Sequence, residues 1–315
     1  LIKSTEIAEI IPSDNKVADS NGNTYSYDSL ILSTGASPFV PAPHFLEHDF
    51  VFTVRSFDDA VKVQKYASNI KKAAIIGGGL LGLEAAWSLC RQNIDVTIME
   101  LSKRLLPKQL DPDASSFLET VIKKNDVNII TSAMTNDITV ENGKKFVVLK
   151  NGKKIETDMV IVSIGVRADI ILAKNCGIDT DKGIIVNSRM ETSTENIFAC
   201  GDAVQFGCIT PLWMPALKQG AVAGTNAAGG NDEFATDIYP ATLKAFETTL
   251  FFIGNIEKEP GIEELSKIDD DKYLKLFYKN EKLDGAILIN VPSKISAVLN
   301  AVKKGLSQKE TADLI

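Results

Sequence analysis

Gly77, Gly79 and Gly82 stand in the stretch AAIIGGGLLGLEAAWSL, residues 73–89, at the G-x-G-x-x-G spacing of a dinucleotide fingerprint. Glycines at this spacing let a backbone turn approach a pyrophosphate. The helix that follows, opening at Leu80 and Leu81, offers its positive end to the phosphates. The apolar run ahead of the turn predicts a strand. A second apolar run, DVTIME, closes on Glu100, 18 residues after Gly82. An acid there hydrogen-bonds both ribose hydroxyls and repels a 2′-phosphate. Glu100 therefore predicts NADH over NADPH, with Lys103 and Arg104 nearby as the counterweight. The plain alternative is a tight strand-to-helix turn with no ligand.

Other reactive side chains are sparse. Cys90, Cys176, Cys200 and Cys208 form no C-x-x-C pair and no zinc spacing. They read as reduced, mostly buried thiols of a cytoplasmic protein. His44 and His48 are spaced i, i+4 but lie in the proline-flanked PAPHFLEHDF, so no metal site is expected. No side chain stands out as a nucleophile.

The elements that must hold the turn can be placed along the chain. Residues 1–28 predict β-hairpin material with an Asn21-Gly22 turn, followed by the strand YDSLILSTG and a Gly/Pro loop. SFDDAVKVQKYASNI predicts a helix capped by Ser56. In the glycine-turn helix, Leu80, Leu83, Trp87 and Cys90 share one face. Asp111 and Pro112 predict the cap and first residue of another helix. Asn142-Gly143 and Asn151-Gly152 mark further hairpins, before the buried-looking strand DMVIVSIG. MPALKQGAVAGTNAAGG predicts a helix whose small residues, Ala216, Gly220, Ala223 and Ala227, would let a neighbour come close. Beyond about residue 236 the pattern is a small α+β unit ending in a helix from Ser293.

Composition sets limits. The 315 residues predict two or three domains with ample core. A net charge of -7 weighs against a nucleic-acid partner. The apolar runs are too short to span a bilayer, and the opening LIKSTEIAEI is not expected to be a signal peptide.

YDSLILSTGASP, IIGGGLLGLE and ETSTENIFACGDA, in that order, resemble the class I pyridine-nucleotide-disulfide oxidoreductase family of FAD flavoproteins. PLWMPALKQGAVAGTNAAGG and the short C-terminal unit resemble its NADH:rubredoxin oxidoreductase and NADH-nitrite reductase branch. The resemblance implies an α/β, Rossmann-like fold with two dinucleotide domains and a small α+β C-terminal domain. The segments would be 1–55 (FAD, first part), 56–166 (NAD), 167–235 (FAD, second part) and 236–315 (C-terminal). It implies that Thr34 and Gly35 contact FAD, that Asp202 after Gly201 holds a ribityl hydroxyl, and that Arg55 and Lys244 lie on the flavin side. The helix after Trp213 would aim its positive end at the flavin. Glu84 would sit beside the nicotinamide and flavin, and Gly165 would line the nicotinamide side.

The family carries two fingerprints and this sequence shows one, whose position matches the second, NADH-binding one. The chain thus reads as beginning inside its FAD domain. The leading expectation is an FAD-dependent oxidoreductase that takes hydride from NADH. It would pass electrons to rubredoxin, a ferredoxin-like protein or a nitrite-reductase centre. Two alternatives stay open: an NADH oxidase, peroxidase or CoA-disulfide reductase using an upstream cysteine, and a flavin-free NADH-binding sensor.

Overall fold

The computed structural model describes residues 1–208, 211–256 and 260–315, and the chain divides into two compact units, 1–37 with 166–237, and 38–165 with 238–315.

In the first unit, Ile7–Ile11, Lys16–Asp19 and Thr24–Ser26 form an antiparallel sheet. The Asn21-Gly22 turn is wider than a two-residue hairpin, because the Asp19 carboxylate gathers it. Asp19 accepts the backbone N–H groups of Asn21 and Asn23, both at 2.9 Å, and the Tyr25 hydroxyl at 3.1 Å. Those bonds, the side-chain bond from Asn23 first, hold the Asp19 carboxyl below its ordinary range. Leu30–Leu32 pairs in parallel with Ile197–Ala199 over a core that includes Ile10, Met190, Val222 and Ala223. The helix Trp213–Ala227 packs Ala223 into that core. At Gly220 an added Cβ would meet nothing within 4 Å. The expected close approach along the small-residue stripe is therefore absent at Gly220 among the described residues.

The second unit is built on a parallel sheet in the order Val51–Phe52, Met159–Val162, Lys72–Ile76, Asp95–Met99, Asn128–Ile130. Residues 38–55 pack with this unit. Phe45 and Phe50 bury against Ala74, Ile76, Val160 and Val162, and Val51 pairs with Val160. Helix Phe57–Ala67 opens with a reciprocal Ser56/Asp59 capping box. Helix Leu80–Cys90 follows the glycine turn, and Pro112–Lys123 starts at the Asp111 cap with Pro112 first. Both residues of Asn142-Gly143 have positive φ, 50° and 77°, which makes a tight turn between Thr135–Glu141 and Lys144–Leu149.

The C-terminal residues form an antiparallel sheet in the order Ala241–Ala245, Thr248–Gly254, Lys282–Ile289, Tyr273–Lys279, Ile262–Ile268. Alternation splits its faces. Leu274, Leu276 and Tyr278 pack with Val298 and Val302 of the helix Ile295–Lys304. Tyr273 and Phe277 instead join Leu83, Leu118 and Ile122 in the core of the parallel-sheet layer. The C-terminal sheet thus shares a core with the fingerprint layer.

Lys275 lies between Tyr273 and Phe277 on that inner face and is 5% exposed. Its Nζ donates to Asp111 and, at 2.8 Å, to Glu264. Burial works against the charge. The hydrogen bonds and charges of Asp111 and Glu264 outweigh it and push the ammonium from its ordinary 10.5 up to about 12. A folded value above the unfolded one means that this stabilisation is complete below pH 10.5 and is lost as pH rises through about 12. Between those limits the melting temperature of the native chain should fall more steeply than that of Lys275→Met. Parallel slopes in a pH series of thermal melts would mean that Lys275 contributes nothing to this dependence.

Candidate dinucleotide site

The fingerprint turn is fixed by sterics and by backbone hydrogen bonds. Gly77 has φ +112°, and a Cβ there would lie 2.2 Å from the Ser163 carbonyl oxygen. At Gly82 a Cβ would lie 2.1 Å from the Gly77 carbonyl oxygen. Strand, helix and the end of Met159–Val162 therefore converge so closely that only glycine fits at these two positions. Gly77 N–H donates to Met99 at 2.7 Å, and Gly78 N–H donates to Glu100 Oε2 at 2.7 Å.

Gly79 differs. It is the N-cap of Leu80–Cys90, no side chain caps the helix, and a Cβ at Gly79 would meet nothing within 4 Å. An uncapped N-terminus presents unpaired backbone N–H groups and a positive dipole end. Open space beside it suits a pyrophosphate.

Glu100 is buried at the floor of the turn, where its other oxygen accepts Ser102 N–H at 2.7 Å. A carboxylate has about four acceptor positions, so two remain for hydroxyl donors. Arg104 donates to the carbonyls of Leu110 and Pro107 within its own loop, at 3.3 and 2.9 Å.

Glu84 and Leu81 are exposed. Both line a groove of about 360 Å³ with Val54, Val63, Leu89 and Ser163. Its apolar walls remove water from one side of Glu84, and this desolvation pushes the carboxyl above its ordinary range. Gly165 has φ +102° and accepts Phe39 N–H at 2.9 Å. All eight residues expected at the nicotinamide dinucleotide lie in the second unit.

The residues expected on the flavin side divide between the units. Thr34, Gly35, Gly201, Asp202 and Trp213 are in the first, Arg55 and Lys244 in the second. The parallel pairing of Leu32 with Ala199 brings Thr34-Gly35 and Gly201-Asp202 to the same sheet edge. Thr34 Oγ1 donates to the Asp169 carbonyl at 2.6 Å, and Gly35 and Gly201 have positive φ, 72° and 78°. The backbone N–H of Gly201 is held at 2.9 Å by Gln219, a buried side chain that sequence reasoning did not single out. Trp213 is 77% exposed and opens a helix with no side-chain cap. Lys244 is exposed on its strand, and the exposed Arg55 donates its backbone N–H to Asp59.

The remaining candidates have structural partners. His44 bonds Asp137 at 3.2 Å and His48 bonds the Ile138 carbonyl at 3.1 Å. No disulfide joins the cysteines, and burial pushes the thiols of Cys90, Cys176 and Cys200 up. Cys208 is exposed. Among the described residues, no helix is long and apolar enough to cross a membrane.

Comparison with known proteins gives two family matches: pyridine nucleotide-disulphide oxidoreductase over residues 1–220, and the rubredoxin NAD+ reductase C-terminal domain over 240–306. The chain is 30% identical, over its full length, to an NADH oxidase of Methanocaldococcus jannaschii, covering 77% of that protein. It is 31% identical over 92% of its length to the NADH-rubredoxin oxidoreductase of Clostridium acetobutylicum, covering 73%. It is 28% identical to an assimilatory nitrate reductase electron transfer subunit of Bacillus subtilis, matching over 95% of its own length but only 39% of that protein. An NAD-dependent persulfide reductase from A. fulgidus superposes with a TM-score of 0.88 at 29% identity, over 99% of this chain and 64% of the other.

Because an added methyl at Gly79 meets no protein atom, Gly79→Ala should leave the melting temperature unchanged while weakening NADH binding about tenfold, roughly 1.4 kcal/mol. Gly82→Ala should lower both. Unchanged NADH affinity in Gly79→Ala, measured by calorimetric titration, would exclude the space beside Gly79 as the phosphate site.

Proposed function

The chain belongs to the pyridine nucleotide-disulphide oxidoreductase family, and from that premise we propose that it binds NADH on the Gly77–Gly82 turn and transfers its reducing equivalents through FAD to an electron-carrier protein. The observation that carries this reading is the uncapped helix start at Gly79, with open space beside it and a buried carboxylate, Glu100, at the end of the next strand. FAD, when bound, accepts hydride as an electron pair and can release the electrons singly.

The chain's own residues divide the work. Backbone N–H groups at Leu80 and Leu81 take the pyrophosphate, and Glu100 takes the adenosine ribose. Arg104 is engaged by its own loop carbonyls, which ties up this guanidinium and supports NADH over NADPH. Gly165 and Glu84 face the nicotinamide end. The apolar walls that push the Glu84 carboxyl above its ordinary range also suit an apolar ring face. Gly201 and Asp202, with Thr34 and Gly35 on the same sheet edge, form the flavin-facing edge of the first unit. The helix opening at Trp213 would supply a positive end to the flavin, and the family resemblance is the ground for assigning Arg55 and Lys244 to it. The dinucleotide role falls to residues 56–166 and the flavin role to 1–55 with 167–235.

Rubredoxin is the acceptor we favour, on the match of residues 240–306 and the likeness to a rubredoxin oxidoreductase. A nitrite- or nitrate-reductase centre is the next candidate. The unbridged cysteines fit a cytoplasmic setting.

The visible spectrum of the purified protein, recorded before and after anaerobic NADH, tests the core of this reading. A flavin spectrum that bleaches with NADH, and recovers on oxidised rubredoxin, is expected. Recovery with oxygen alone at the same rate would favour an oxidase. Absence of flavin after reconstitution with FAD, with NADH still bound, would favour the sensor alternative.

A further inference from the structure

We infer that Lys275, on the C-terminal sheet, is a positioning residue for the dinucleotide turn, acting through Asp111 and the 101–111 loop on Gly78. The inference rests on the reading of that turn as the NADH site.

The path is continuous and lies within one compact unit. Lys275 and Tyr273 project from the same face of their strand, and both bond the Asp111 carboxylate. Lys275 takes Oδ2, and the Tyr273 hydroxyl donates to Oδ1 at 3.3 Å. Oδ1 also accepts Ala114 N–H at 2.9 Å, which caps the helix Pro112–Lys123. One turn into that helix, the Ser115 hydroxyl donates to the Leu105 carbonyl at 2.9 Å. The neighbouring Leu106 is held at φ +48°, a conformation that L side chains rarely adopt, and its N–H donates to the Gly78 carbonyl at 3.1 Å.

Leu105 reaches the turn as well: a Cβ at Gly78 would lie 2.5 Å from its Cδ2 and 3.2 Å from Glu100 Oε2. Gly78 is thus clamped on its carbonyl by the loop and on its N–H by Glu100. The next residue, Gly79, is the one with open space for the ligand in the proposed site. Leu105, Leu106 and Leu110 are fully buried, so the loop has little room to shift without moving Gly78.

A net stabilising role alone is a poor explanation for this cluster. Asp111, Glu264 and, at 3.5 Å, Asp113 all approach one ammonium, in a core where apolar replacement of an ion pair is commonly neutral or better. The geometry instead fixes where the start of Pro112–Lys123 sits, and with it the loop that shapes the turn.

The test uses the full chain and NADH itself as probe. The native protein is titrated with NADH first, by calorimetry, and then Lys275→Met and Asp111→Asn are compared. Asparagine keeps the helix cap but removes the charge that Lys275 grips. The dissociation constant should rise about 2- to 30-fold in both variants, and amide exchange at Leu106 should quicken. Val298→Ala, buried on the opposite face of the C-terminal sheet, serves as the control for general destabilisation. At a comparable loss in melting temperature it should leave NADH affinity and Leu106 exchange unchanged. If Lys275→Met does not fold, Asp111→Asn decides. Native affinity in both variants, or an equal loss in Val298→Ala, would overturn the positioning role while leaving the NADH site standing. Failure of the native chain to bind NADH would remove the site and this inference together.

Discussion

Everything proposed for the dinucleotide depends on one steric constraint: the helix Leu80–Cys90 leaves its strand so tightly that Gly82 rests on the carbonyl of Gly77. A single methyl at Gly82 would sit 2.1 Å from that oxygen. The same carbonyl belongs to a residue whose own missing Cβ makes room for Ser163. Three backbone segments therefore meet with no side chain between them. The consequence is directional. A helix packed this closely onto its strand points its N-terminus out over the sheet's carboxyl edge, where the strand ends at Glu100 and Ser163 also lie. In parallel α/β sheets that edge is where ligands are bound.

In both units the chain uses carboxylates to tie down backbone N–H groups. Glu100 accepts Gly78 and Ser102, Asp158 accepts Lys71 and Lys72, Asp19 gathers the first hairpin loop, and Asp111 caps a helix. A charged acceptor makes a stronger hydrogen bond than a neutral one. Exposed ion pairs such as Lys154 with Glu141 contribute about 0–1 kcal/mol each, by contrast. Much of what positions the site is thus carried by acids bonded to backbone.

Local features were legible in the sequence because their causes are local. Ser56 with Asp59, Asp111 with Pro112, and Asn142-Gly143 each specify a helix start or a turn within four residues, and each is found in place. The glycine turn was legible for the same reason. Asn21-Gly22 misled because Asp19, two residues upstream, competes for the loop's N–H groups and opens it. The packing of residues 38–55 was not legible because they look like a loop alone, while their partners, Val160 and Ala74, lie far along the chain. Gln219 and Lys275 were invisible for a related reason. A glutamine in a helix and a lysine in a strand read as surface residues until the fold brings Gly201 and Asp111 to them.

The distribution of site residues over the two units separates the two halves of the proposed chemistry. Every residue assigned to NADH lies in the unit of 38–165 and 238–315, and that unit closes its own core through Leu83, Phe246 and Tyr273. NADH affinity is then a property of one unit's packing, including the C-terminal sheet that shares its core. The residues assigned to FAD are drawn from both units, five from the first and two from the second. On the inferred path, loss of Lys275 reaches the nucleotide turn through Asp111, whereas a lesion on the opposite face of the C-terminal sheet does not. Gly201 and Gln219 lie in the first unit, which holds no residue assigned to NADH. Through the inferred Lys275–Asp111 path, the small C-terminal sheet would take part in nucleotide binding although no residue of it is assigned to touch NADH.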